Sequence, residues 1–144
     1  MRLQTNTWLA LYSVLEFASD PDRNISAAEI AHKYEVSPHH LAKVLAALAR
    51  SGIVESVRGA GGGYRFIGNV RRLTLMDIIQ IFEEFIPAQP VRNNGGEITP
   101  VESALGSVLS EIDANTKATF RSITLATMLR LTQRQQQRSA VPAK

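Results

Sequence analysis

The tightest constraint on the fold is the spacing of two helix signals. Ser26 followed by Glu29 marks one helix start, and Ser37 followed by Pro38 marks the next. The first of these helices stops near Glu35-Val36, so about two residues separate it from the second. Helices joined so closely cross as a helix-turn-helix rather than run as a long hairpin. Ser26 and Glu29 form a capping box, each side chain satisfying a free amide at the helix start, and Ala28, Ile30, Ala31 and Tyr34 point inward. In the second helix Pro38 occupies the first helical position, where its missing amide does no harm. Leu41, Val44, Leu45 and Leu48 form a buried stripe, and Gly52 supplies a left-handed stop.

A short hairpin comes next in the chain. Ile53–Val57 and Tyr64–Ile67 read as two strands, and the intervening Arg58-Gly-Ala-Gly-Gly-Gly63 predicts a mobile tip without a rigid turn. A helix that fits a DNA groove, followed by an arginine-tipped hairpin, is the sequence form of a winged helix. Before it, Thr5–Ser19 predicts a helix that ends at the turn-rich Asp20-Pro21-Asp22. After it, Leu75, Ile78, Ile79 and Phe82 mark another, opened by Thr74 with Asp77 near its positive end. Residues 1–85 thus form a winged helix-turn-helix, and residues 86–98, rich in Pro, Asn and Gly, a loop.

Thr99-Pro-Val-Glu102 opens a longer helix of roughly 20–24 residues. Val101, Leu105, Val108 and Ile112 recur in steps of four and three, a seam for a partner helix. The seam turns polar at Asn115 and Thr119, and Ile123, Leu125, Met128, Leu129 and Leu131 resume apolar character. Such a helix either folds back on its own domain or pairs with a second copy, and the seam favours pairing. Residues 99–132 are therefore a dimerisation helix and a short C-terminal helix, and the polar, Gln-rich residues 133–144 a disordered tail. The expected fold class is mainly α with a small β-hairpin wing: a winged helix-turn-helix plus a long dimerisation helix.

Net charge is +3, all of it in the first half, where Met1–Arg72 holds nine Lys/Arg against six Asp/Glu. The second half balances at seven against seven. There is no cysteine, which excludes disulfides, thiolate metal sites, cysteine nucleophiles and thiol redox sensing. His39 and His40 lie about 100° apart on a helix and make a poor metal pair. Glu29 and His32 are explained by an exposed amphipathic face, so no metal is expected. Gly59–Tyr64 resembles a dinucleotide loop, but its third glycine position falls on Tyr64 and no helix comes after it. No catalytic spacing of residues is present, which argues against an enzyme. No apolar run reaches the ~18 residues of a membrane span. At the start, Tyr12, Ser13 and Glu16 interrupt any signal-like stretch, while Trp8, Leu11, Tyr12, Leu15 and Ala18 recur at helical spacing. That predicts a core-packing first helix and a cytoplasmic protein without a membrane partner.

Side chains that reach base edges come from the first turns of a groove-bound helix. Here they are Ser37, His39, His40 and Lys43, although an ordinary solvated helix face accounts for them equally well. The hairpin tip is more specific. Arg58 is succeeded by Gly59 and Gly61, so backbone and guanidinium can both enter a minor groove, where arginine reads width and negative potential. Ser56 and Arg65 flank it as phosphate contacts. These residues make the chain a reader of double-stranded DNA. The alternative is a winged-helix protein-interaction module recruiting a partner through the long apolar helix.

The chain resembles the Rrf-two (Rrf2) family of bacterial winged-helix regulators over roughly residues 1–131. Met1-Arg-Leu3, Ser37-x-x-x-Leu41 and above all Gly52-Ile-Val-x-Ser56-Val-Arg58-Gly-x-Gly-Gly-Gly-Tyr64 carry the resemblance, with Leu73-Thr-Leu-x-Asp77-Ile and Ile123-Thr-Leu-Ala126. It implies a homodimeric regulator, a repressor, whose long helices cross and set two winged helices on a palindromic operator. By position, Ser37, His39, His40 and Lys43 match the family's major-groove contacts, and Arg58 its minor-groove arginine. Many relatives hold an iron–sulfur cluster on three cysteines before the long helix. The corresponding segment here, residues 86–102, has none, so no cluster cofactor is expected. Ala42 stands where some cluster-type members have an acid, so their operator preference does not carry over. An ordinary core role is the first expectation for Trp8; the secondary one is a small-molecule effector site between that loop, the long helix and helix one, with the effector stacking on Trp8.

Overall fold

The computed structural model describes residues 2–85 and 96–140. In chain order the elements are α1 (Thr5–Ser19), α2 (Ala27–Tyr34), α3 (Pro38–Arg50), β1 (Val54–Val57), β2 (Gly63–Phe66), α4 (Leu75–Phe82), α5 (Pro100–Ser122) and α6 (Leu125–Ala140). The two strands pair antiparallel, with Val54 opposite Phe66 and Val57 opposite Gly63. This is the predicted architecture, mainly helical with a two-stranded wing.

Local chemistry explains most boundaries. Ser26 caps α2 by accepting the Glu29 N–H at 3.1 Å. Only half of the predicted capping box forms, because the Glu29 carboxylate pairs with Arg23 instead. The hydrogen bond from that guanidinium holds the Glu29 carboxyl below its usual range. Both halves of the box form at Thr74/Asp77 and at Thr99/Glu102. Gly52 lies just past α3 at φ 77°, where the Ile53 N–H closes back on the Leu48 carbonyl at 3.2 Å. Helix α1 has no capping side chain of its own. Glu83, just past α4, takes that place and accepts the Gln4 N–H and the Thr7 hydroxyl, both at 2.6 Å. A carboxylate there also meets the positive end of the helix dipole.

The core joins α1, α3, α4, the wing base and the first residue of α6. Phe17, Leu41, Leu45, Leu48, Ile78, Ile79 and Leu125 are fully enclosed. Residues 73–75 and 123–125 lie side by side, with Leu75 N–H to Ile123 O and Leu125 N–H to Leu73 O, both at 2.9 Å. The two Leu/Ile-Thr-Leu segments singled out in the sequence, about fifty residues apart, are therefore each other's partners.

Several expectations change. Ala28 is exposed, and Ile30 and Ala31 carry the inward side of α2. In α1 the buried apolar set is Leu9, Ala10, Leu11, Val14, Phe17 and Ala18, joined by Thr7 and Ser13, while Trp8 and Tyr12 face outward. The tail predicted as disordered over 133–144 is helical as far as Ala140. Gln and Arg are strong helix formers, so low hydrophobicity alone did not decide against a helix there. Residues 141–144 lie outside the described residues, as does most of the predicted loop, 86–95. Among the described residues no helix is long and apolar enough to cross a membrane.

Candidate nucleic-acid interface

The candidate interface comprises the start of α3 and the wing. Leu41, Val44, Leu45 and Leu48 are buried, which fixes the rotation of α3 about its axis. The 3.6-residue period then turns Ser37, His39, His40 and Lys43 outward, and all four are exposed. Ser37 Oγ accepts the His40 N–H at 3.4 Å. The helix start behind it offers free amides and positive dipole to a phosphate. In the turn before it, Glu35 sits in the left-handed region at φ 54°, and Val36 N–H closes on Ala31 O at 3.0 Å. Neither histidine has a metal-binding neighbourhood, since among the described residues no cluster of three His, Cys, Asp or Glu exists.

The wing is tied to the helix-turn-helix. Ile25, just before α2, exchanges two backbone hydrogen bonds with Tyr64, at 2.9 and 2.8 Å. A Cβ on Gly63 would stand 2.5 Å from the Ile25 carbonyl oxygen, so only glycine permits this approach. The tip is closed by Gly62 N–H to Gly59 O at 2.9 Å, and Asn24 Nδ2 reaches Gly61 O at 3.4 Å. The expectation of a tip without a defined turn is therefore corrected. Isolated glycines read as freedom, but their positive φ angles, at Gly59 and Gly61, are what the turn needs.

The structure separates the two wing arginines. Arg65 lies opposite Glu55 across the hairpin and forms an ion pair with it. Arg58, exposed at the tip with Gly59 and Gly61, has no such partner among the described residues. Ser56 is exposed on β1, opposite Tyr64.

The predicted seam on α5 is wholly open. Val101 (69%), Leu105 (57%), Val108 (52%) and Ile112 (55%) are exposed, and no residue of α5 is buried. The chain does not fold back over this helix within the described residues. Leu109, absent from the predicted seam, is also exposed and widens it; its place four residues after Leu105 was the available signal. Trp8 is 47% exposed and its ring lies 5.8 Å from Tyr12, which stacks on Tyr34 at 4.7 Å. It is not a core aromatic. The loop expected to meet it lies largely among residues 86–95, outside the described residues.

An iron–sulfur cluster does not fit this chain. Thiolates hold such clusters, and the sequence has no cysteine; residues 86–102 also lack histidine, leaving Glu97 and Glu102 as the acidic donors there. Glu102 is engaged in capping α5.

Comparison with known proteins agrees with this geometry. The family model described as Rrf2, iron-dependent transcriptional regulator, matches residues 3–131. A relative from Rhodopseudomonas palustris, the HTH-type transcriptional regulator BadM, is 48% identical over 132 residues, spanning 91% of this chain and 83% of the relative. Among solved structures, CymR (YrzC), the global cysteine regulator of B. subtilis, superposes with a TM-score of 0.76 at 26% identity, covering 91% of this chain and 98% of CymR. IscR of T. potens shares the fold at a TM-score of 0.74 and 23% identity, covering 100% of this chain and 94% of that one.

Proposed function

This chain belongs to the Rrf2 family of transcriptional regulators, and from that premise we propose that it is a homodimeric repressor acting on a palindromic operator in the cytoplasm. Two copies join along α5, covering Val101, Leu105, Val108, Leu109 and Ile112. Each copy then offers Ser37, His39, His40 and Lys43 of α3 to the major groove, and Arg58 to the adjoining minor groove. Ser56, Gly59 and Gly61 approach the backbone around it, and Arg65 contributes only by leaving Glu55. The chain's work is binding, not catalysis.

One observation carries this reading: an exposed, unpaired arginine at the tip of a wing anchored to the helix-turn-helix. The test is the affinity of the purified protein for its own upstream DNA over a range of salt. Wild type should show a steep salt dependence, about 0.9 in log–log slope per phosphate neutralised. Arg58→Ala should weaken binding by about 1–3 kcal/mol. Unchanged affinity in that variant would remove the wing from the mechanism. A second reading, a protein-recruiting module, draws on the same open seam of α5. Wild type without salt-sensitive DNA affinity would favour it.

A further inference from the structure

The balanced charge of the second half conceals a sorting of sign. Its acids all lie between Asp77 and Asp113, and no Asp or Glu occurs from there to the end of the chain. Lys117 still meets Asp113, at 3.0 Å. Beyond it, α6 carries Arg130, Arg134 and Arg138 with no acid on the helix at all. Spaced four apart, about 6 Å of rise each, they form a ladder along one side of the helix. The other side is the one that meets protein: Leu129, Thr132, Gln133 and Gln136 line a cleft against α1 and Tyr34 of α2.

All three arginines are exposed. Arg130 donates to the Thr127 hydroxyl at 3.2 Å. Arg134 and Arg138 have no hydrogen-bond or ion-pair partner among the described residues. Some cations elsewhere pair with carboxylates, Arg23 with Glu29, Lys33 with Glu16 and Arg65 with Glu55, whereas Arg134 and Arg138 share the unpaired state of Arg58 at the wing tip. Like charges four apart repel on a helix, offset in part where Arg138 meets the negative end of the helix dipole, and an anionic partner would relieve that repulsion.

We propose that this arginine face of α6 binds nucleic-acid phosphates flanking the operator, a contact outside α3 and the wing. The inference rests on the DNA-binding role proposed for those two elements. Guanidinium forks match phosphate oxygens two at a time. Around Arg134 and Arg138, residues 133–140 are otherwise Gln, Ser and Ala. They offer no apolar or aromatic anchor of the kind on which protein interfaces depend. Leu131, 44% exposed beside them, is a single aliphatic side chain, so phosphate fits this surface better than an acidic protein does.

The test compares the full chain with a triple variant, R130Q/R134Q/R138Q, in which glutamine keeps helix propensity and equal helicity is checked by circular dichroism. Binding is measured against salt on a minimal operator duplex and on one extended at both ends. On the extended duplex the variant should lose roughly 2–3 from the log–log slope per bound chain, with affinity reduced at least about tenfold at low salt. On the minimal duplex the two proteins should agree. Equal slopes on both duplexes would overturn the inference, leave the operator reading intact, and give the ladder to an acidic protein or to solvent. Absence of DNA affinity in wild type would overturn the functional reading itself, and this inference with it.

Discussion

Helices α3 and α5 use the same device to opposite ends. Each carries apolar side chains at helical spacing, and each is polar elsewhere. In α3 the stripe is sealed by the chain itself: Leu41, Leu45 and Leu48 are at 0% exposure. In α5, 23 residues long, nothing is buried, and five large apolar side chains stand open. Its tether to the rest of the molecule is near its C-terminal end, where Lys117 lies 4.9 Å over the Phe85 ring and Ile123 pairs with Leu75. The lesson is that amphipathicity states how much apolar surface needs cover, not which chain covers it. The same contrast recurs at the scale of side chains: Arg65 is satisfied within the wing by Glu55, and Arg58 is not.

Four substitutions would break or sharpen that contrast. Leu48→Ala opens a cavity in the sealed stripe and should lower folding stability by about 2–5 kcal/mol, read by denaturant unfolding. Its failure to do so would mean that the α3 stripe is not the core. Leu105→Glu should leave the fold intact, seen by circular dichroism, and weaken self-association. Facing its copy across the seam, the charge should cost on the order of 2–3 kcal/mol, roughly 100-fold in dimer dissociation. A dimer that tolerates it would place the interface elsewhere. In DNA binding, Arg65→Ala should cost less than about 1 kcal/mol, as expected for an arginine already held in an exposed pair, well below Arg58→Ala. Reversal of that order would show that Glu55 releases Arg65 on the duplex. Smallest is Glu35→Gly, which relieves the left-handed backbone at φ 54°, a strain of about 1–2 kcal/mol. The roughly 0.5–1 kcal/mol of extra entropy that glycine loses on folding offsets this in part. The net gain should be less than about 1 kcal/mol, measured as a small rise in melting temperature.

Features encoded over a few residues were legible in the sequence. Ser37 with Pro38, Thr74 with Asp77 and Thr99 with Glu102 each mark a helix start that the structure keeps, because a cap is satisfied within one turn. The outward set on α3 came directly from its apolar stripe. What escaped was set by pairings outside the helix-start patterns, one of them six residues apart and the others far along the chain. Arg23 takes Glu29 away from the predicted capping box, Glu83 caps a helix nearly eighty residues upstream, and Ile25 pins the wing through Tyr64. No local pattern announces these, because nothing in either partner's own neighbourhood names the other. The extension of α6 to Ala140 was missed for another reason: its polar composition was weighed as disorder, and the helix propensity of Gln and Arg was not.

Sedimentation equilibrium of the free protein tests the central contrast most directly. If the open seam of α5 is covered by a second copy, the mass at micromolar concentration should be twice the 15.8 kDa of one chain. On dilution Leu105→Glu should fall toward a single chain at higher concentration than wild type does, making the variant the lighter of the two. A wild-type mass of one chain at that concentration would contradict the account.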